Sequence, residues 1–418
     1  MGERGESRGI LGQLFSKGEM SSNGPAAARD ASIAMDGGVS PSLEPGATSR
    51  PPTPYAVGTF DASRFKSMML SDKSASETPR RSVEATATED AASGAPPIEQ
   101  LLKEIYERAR TDGEGALADY IPELAKVAPD SFGIAIATTD GRLHSIGDAQ
   151  TEFTIQSTSK ALTYCLALEL CGRKQVFSRV GVEPSGDPFN AIEFSPATRR
   201  PYNPMVNAGA ITIAGLLCEA AGPEGALDLI LMRFSEAAGR QLRVNESVYR
   251  SECETGHRNR AISHLLLSVG AMPAPPEPAL DVYFKQCSIE VTATDLAMIG
   301  ATFANLGENP VSGKQVFDLT AVRDTQAVMF TCGMYDYSGN WAYDVGIPAK
   351  SGVGGGILGV VNRQLGIGTY SPRLDANGNS VRGITSFKMM SDALGLHAFD
   401  LTNTGSPFIG AFFKRKQA

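Results

Sequence analysis

Ile98, Leu101, Leu102, Ile105 and Ala109 recur at helical spacing with Glu and Lys opposite, which predicts an amphipathic helix beginning near Pro97. From Ala118 to Lys126 the pattern continues towards a short helix containing Tyr120, stopped by Pro129. Phe132–Thr138 reads as a strand, Asp140-Gly141 as a hairpin turn, and a partner strand follows. Glu152 to Gln156 alternates polar and apolar, with Phe153 and Ile155 on one face, so a third strand is expected there. Ala161 to Leu170 is apolar almost all round, the mark of a helix buried in the middle of a domain. A helix-rich middle runs from about Ala210 to Leu306, with members at Ile211–Ala221, Glu224–Ala238 and Arg260–Ser268. The last third returns to strands at Ile347–Ser351, Gly356–Val361 and Gly366–Tyr370. Asn377-Gly378 is a turn, and a final helix follows from about Ser386 to Leu394. Strands at both ends and helices between predict an α/β (α+β) fold: one antiparallel sheet built from both ends of the domain, flanked by helices, with a helical lobe inserted.

Composition divides the chain. Residues 1–95 are rich in Ser, Ala, Gly, Pro and Thr, as in Gly46-Ala-Thr-Ser-Arg-Pro-Pro-Thr-Pro54, and cannot bury enough apolar surface to offset ordering entropy. They are expected to be a disordered tail with at most a short helix near Ile10–Phe15, leaving residues 96–418 as the folded domain. The chain has 418 residues, 42% of them hydrophobic, enough for a sizeable core. A net charge of −8 with no basic stripe argues against nucleic acid as a partner. No run is long and apolar enough for a membrane span. The N-terminus mixes acids and bases, unlike a signal or transit peptide, and Glu6 breaks the myristoylation pattern. Six cysteines without a Cys-x-x-Cys pair and four histidines without ligand spacing suggest reduced thiols, a cytoplasmic setting and no metal.

Candidate chemistry starts at Ser157 and Lys160. This Ser-x-x-Lys spacing sits where the expected strand gives way to the buried helix. Ser157 falls in the first helical turn, where backbone N–H groups lack intrahelical partners. Lys160 lies one turn on, on the same face. A serine needs a neutral base to become a nucleophile, and burial or a second cation can lower a lysine pKa enough to supply one. The bland alternative is a capping serine and a lysine snorkelling to solvent. Downstream, Lys350-Ser351-Gly352 closes an extended segment and is followed by Val353-Gly-Gly-Gly356. Serine β-lactamases and penicillin-binding proteins carry Ser-x-x-Lys on a buried helix and Lys-Thr-Gly on an edge strand beside it.

Further stretches stand in order: Asn203-Pro-Met-Val-Asn-Ala-Gly-Ala-Ile211, Ser251-Glu-Cys-Glu-Thr-Gly-His-Arg-Asn259, Tyr283-Phe-Lys-Gln-Cys-Ser-Ile-Glu-Val291, Cys332-Gly-Met-Tyr-Asp336 and Pro348-Ala-Lys-Ser-Gly-Val353. With Gln156-Ser-Thr-Ser-Lys160 they closely resemble the serine-dependent glutaminase family, over about Tyr120 to Asn403. The resemblance implies a β-lactamase-like fold, no cofactor, and hydrolysis of L-glutamine to glutamate and ammonia. It implies Ser157 as nucleophile, Lys160 as base and Tyr335 as proton relay, with backbone N–H groups at Ser157 and Val353 forming the oxyanion hole. Glu252 would take the substrate ammonium, and Tyr120, Asn207, Asn259 and Tyr283 would hydrogen-bond the rest. Lys350 receives no firm role and could be structural. Each residue also has a bland reading: Glu252 pairing with Arg258, Asn207 and Asn259 as caps, the tyrosines as amphipathic core. The resemblance further implies a homo-oligomer, dimer or tetramer, whereas neither a transit peptide nor ankyrin-like repeats are expected here. Two other activities stay open: a β-lactamase or peptidase, and an amino-acid sensor without turnover.

Overall fold

A computed structural model describes residues 97–186, 190–192 and 194–400. These belong to one compact unit, Glu89–Ala418. The expected disordered tail, its short helix near Ile10–Phe15 and the residues past Asp400 lie outside the described residues.

The elements run α1 (Pro97–Ala109), β1 (Gly133–Thr138), β2 (Leu143–Gly147), β3 (Phe153–Thr154), α2 (Ser159–Cys171), α3 (Arg173–Arg179), α4 (Asn207–Ala238), α5 (Glu246–Thr255), α6 (His257–Ser268), α7 (Pro276–Cys287), β4 (Glu290–Val291), α8 (Ala293–Ala304), α9 (Leu319–Cys332), α10 (Ser338–Asp344), β5 (Ala349–Ser351), β6 (Gly356–Val361), β7 (Leu365–Tyr370) and α11 (Val381–Leu394). The main sheet has the order β2-β1-β7-β6-β5, antiparallel throughout. Its strands come from both ends of the domain, and the helices from α2 to α10 intervene, as the apolar pattern predicts.

Strand period explains the two layers. On β1, Ile134 and Ile136 face one side, where they join Leu102 and Ile105 of α1 and Phe387 and Met390 of α11. Ala135 and Ala137 face the other side and join the larger core of the helical lobe. There α8 lies across β1, β6 and β7. Its entry is fixed by a capping box between Thr292 and Asp295. Close approach requires small residues beneath it: a Cβ on Gly368 would sit 2.0 Å from the Ala293 oxygen. α2 is buried from Ser159 to Leu168, matching its uniformly apolar sequence.

Three local expectations need correction. The short helix over Ala118–Lys126 is a 3-10 turn of Pro122–Lys126, and Tyr120 precedes it, because Pro122 sets the first helical position. The strand over Glu152–Gln156 shrinks to Phe153–Thr154, paired with Val291 and Glu290. Glu152 is exposed, but Thr154 at 5% and Gln156 at 3% exposure are buried, so the alternation does not mark a solvent face. The helices expected at Ile211–Ala221 and Glu224–Ala238 are halves of α4, which kinks at Gly222 (φ 71°) before Pro223. Among the described residues no helix is long and apolar enough to cross a membrane.

Gly368→Ala is expected to destabilise the domain by about 1–3 kcal/mol through overpacking under α8. Thermal unfolding of the variant checks this; an unchanged midpoint would mean that α8 is free to shift.

Candidate active site

The serine segment is built by strain and by close backbone contact. Ile155 N–H donates to the Ile289 oxygen at 2.8 Å, ending the short β3–β4 ladder. Gln156 then takes φ +48°, a left-handed conformation that side chains adopt at a cost of about 1–3 kcal/mol and that clusters at functional sites. A 3-10 turn, Gln156–Thr158, carries Ser157 just ahead of α2 instead of within its first α-turn. Thr158 is the residue before α2 and makes no side-chain cap, so the capping reading of Ser157 fails. The turn after β5 lies directly against this segment. A Cβ on Gly352 would be 2.9 Å from the Ile155 oxygen, and one on Gly354 2.4 Å from the Thr154 oxygen. Glycine at both positions brings Val353 beside Ser157. Among the described residues the N–H groups of Ser157 and Val353 donate to no protein acceptor.

Lys160 is 1% exposed, which excludes snorkelling. Its Nζ donates to Asn207 Oδ1 at 2.6 Å and to the Met205 oxygen at 3.3 Å. Asn207 opens α4, and its amide nitrogen donates to Asn259 Oδ1 at 2.9 Å, so both asparagines are joined to the lysine and neither is a simple cap. Burial lowers the Lys160 pKa to about 8, with Cys287 and Glu252 pulling the other way. Tyr335 is 9% exposed and left-handed, φ +54°. Its hydroxyl donates to the Ser351 oxygen at 3.1 Å and is hydrogen-bonded to Ser157. Burial raises its pKa, so it stays a neutral phenol.

Glu252 sits in the last turn of α5, 6% exposed. Burial pushes its pKa up to about 7, against the opposing pull of the Gln156 amide and the Lys160 charge. It does not pair with Arg258, whose Nε donates to the Asn190 oxygen at 2.6 Å. Tyr120 is 52% exposed, so it is not core, whereas Tyr283 is 3% exposed.

Tyr120, Ser157, Asn207, Glu252, Asn259, Tyr283 and Val353 line one cavity of about 210 Å³. Lys160 reaches it through Asn207, and Tyr335 through Ser157. A larger cavity of about 380 Å³ lies on another side of Tyr335, lined by Phe330, Cys332 and Met205. Of the expected site residues it has Tyr335 alone, so the smaller cavity is where the expected site residues converge. Sequence reasoning missed Gln156 and Cys287 and offered Arg258 only as a partner for Glu252, all three in the cavity wall. Each stood inside a motif already singled out, and a left-handed Gln156 has no sequence signal. Among the described residues no three His, Cys, Asp or Glu side chains group as metal ligands.

A serine hydroxyl and two unengaged N–H groups at one cavity, with a buried amine and a neutral phenol behind them, belong to the class of sites able to support nucleophilic hydrolysis. The comparisons with known proteins narrow that class. The family model for glutaminase matches residues 115–399. The chain is 48% identical over 310 residues to a glutaminase from Nostoc sp., covering 74% of this chain and 92% of that protein. It is 51% identical over 302 residues to Glutaminase 2 of Bradyrhizobium diazoefficiens, 72% of this chain but 48% of that longer protein. The solved structure of Mglu in its tris and glutamate form matches with a TM-score of 0.70 at 41% identity, covering 73% of this chain and 68% of that one. The chain belongs to the glutaminase family.

Asn207→Ala deprives the Lys160 amine of its shortest hydrogen bond. It is expected to slow labelling of Ser157 by a serine-directed fluorophosphonate about ten- to a hundredfold, the value of a hydrogen bond to a charged group. Labelling at the parental rate would remove Asn207 from the lysine's support.

Proposed function

We propose that the protein hydrolyses L-glutamine to L-glutamate and ammonia through an acyl-enzyme on Ser157. The observation that carries this reading is the cavity shared by Ser157 and Glu252, with room for one amino acid. The glutamate form of Mglu supports it, since glutamate is the product of this reaction. The Glu252 carboxylate receives the substrate ammonium, and Tyr120, Asn207, Asn259 and Tyr283 hydrogen-bond the remaining polar groups. A ligand with both charges needs such partners, because unpaired groups are costly when buried.

Ser157 Oγ attacks the side-chain amide carbon while its proton passes to neutral Lys160. The carbonyl oxygen, now negative, takes hydrogen bonds from the Ser157 and Val353 N–H groups. Such a donor is worth about 3 kcal/mol. The C–N bond breaks as Tyr335 gives its proton to the departing nitrogen, and the proton on Lys160 restores the tyrosine. Ammonia leaves and a glutamyl ester remains on Ser157. Water then attacks the ester carbon, its proton goes to the same base, and the serine oxygen leaves with that proton as glutamate forms. Water is the one co-reactant the balance needs.

The reading extends to a β-lactamase-like fold, with residues 96–418 as the catalytic domain, and to a cytoplasmic homo-oligomer, dimer or tetramer. An ammonia-release assay with L-glutamine, L-asparagine and a β-lactam tests the activity. Hydrolysis of the β-lactam without glutamine would overturn it in favour of a β-lactamase.

Ser157→Ala should abolish turnover with the fold intact. Ser159→Ala should keep most activity, although Ser159 Oγ donates to the Gln156 oxygen at 2.7 Å and its loss costs about 1 kcal/mol of stability. An inactive Ser159→Ala beside an active Ser157→Ala would relocate the nucleophile.

Both Lys160, near 8, and Glu252, near 7, must be deprotonated in the free enzyme, so kcat/KM should rise with pH. The acid limb should carry two protons in the parent and one in Glu252→Gln, whose kcat/KM should fall by a factor equivalent to about 2–4 kcal/mol of lost stabilisation. A single-proton limb in the parent would contradict the pairing of roles.

A further inference from the structure

Lys350 is a fully buried amine to which the reaction above gives no task. It stands in the middle of β5, the edge strand, opposite Leu358 of β6. Its Nζ donates to the Gly333 oxygen at 3.0 Å and to the Ser351 oxygen at 2.5 Å. The same nitrogen lies 4.2 Å from the centroid of the Tyr335 ring. Burial, and then the charge of Lys160, push this amine towards its neutral form, whose two N–H bonds the two carbonyls accept while the nitrogen packs on the ring.

All three contacts converge on Tyr335. Gly333 lies two residues before it, in the turn that sets its left-handed backbone. The Ser351 oxygen that accepts from Lys350 also accepts from the tyrosine hydroxyl. The ring itself is the third contact. A strained conformation persists only where its surroundings over-determine it, and here one amine grips the turn, the ring and the hydroxyl's acceptor together.

We propose that Lys350 is a positioning residue that pins the Tyr335 ring and hydroxyl against Ser157 and acts on the reaction through Tyr335 without touching substrate. The proposal rests on the Ser157–Tyr335 chemistry of the proposed function. A lysine that merely ties β5 into the fold would make the same carbonyl contacts, but its loss would act independently of the tyrosine hydroxyl.

The test is a double-mutant cycle of Lys350→Met and Tyr335→Phe in the full chain, read as kcat and KM for glutamine with thermal midpoints alongside. Lys350→Met alone should lower kcat about ten- to a hundredfold while KM changes less than about threefold. In the Tyr335→Phe background it should cost less than about a further threefold, because the group it positions is gone. The same loss in both backgrounds, or a raised KM at unchanged kcat, would overturn the proposal. If Lys350→Met does not fold, Lys350→Gln, which keeps an amide donor for the carbonyls, is read in the same cycle. Should the parent release no ammonia from glutamine, the functional reading fails by itself. The cycle is then read on acylation of Ser157 by p-nitrophenyl acetate, where additive losses still overturn the role of Lys350.

Discussion

Everything at this site depends on one constraint: the Lys160 amine is held out of water. A buried ammonium is costly, and the fold offers it two neutral oxygens, Asn207 Oδ1 and the Met205 carbonyl. Two neutral acceptors orient the amine, and the Glu252 charge offsets only part of the effect of burial. The pKa therefore falls towards the working range of a base, and the hydrogen bonds still aim the nitrogen. α2 supplies the burial, being apolar all round, and α4 supplies the acceptors by starting at Asn207. The helical lobe and the serine segment thus meet at one side chain.

The sheet serves the same end from the other side. β5 is its edge strand, and the glycine turn beyond it lies on the backbone of residues 154–158. Neither surface could approach so closely with side chains in the way. The result is a rigid frame in which Val353 N–H, Ser157 and the Tyr335 hydroxyl come from three separate parts of the chain. Two non-glycine residues, Gln156 and Tyr335, carry left-handed backbones there, so the frame stores strain at the points where the chemistry is proposed.

Much of this was legible in the sequence. Ser157, Lys160, Glu252 and Asn259 stand in motifs whose spacing survives any error in element boundaries, and the uniformly apolar stretch after Lys160 announced a buried helix. The sheet built from both ends followed from where the β-rich segments fell. Other features were not legible because they are set by tertiary contact. The alternation at Glu152–Gln156 suggested a half-exposed strand, yet Thr154 and Gln156 are both buried, in the walls of two different cavities. Tyr120 falls outside the expected helix because Pro122 starts the turn two residues later. The link from Lys160 to Asn207 spans 47 residues and has no local signal. Lys350 read as structural because its partners are two carbonyls and a ring, none of which a sequence pattern displays.

The central claim is that glutamine is hydrolysed through an ester on Ser157. Rapid acid quench of the enzyme during turnover, followed by peptide mass spectrometry, tests it most directly. The account predicts that the peptide spanning Gln156–Lys160 gains the mass of one glutamyl group on Ser157 and loses it as substrate is exhausted. Steady turnover with that peptide unmodified, or with the glutamyl group on Cys287, would contradict it.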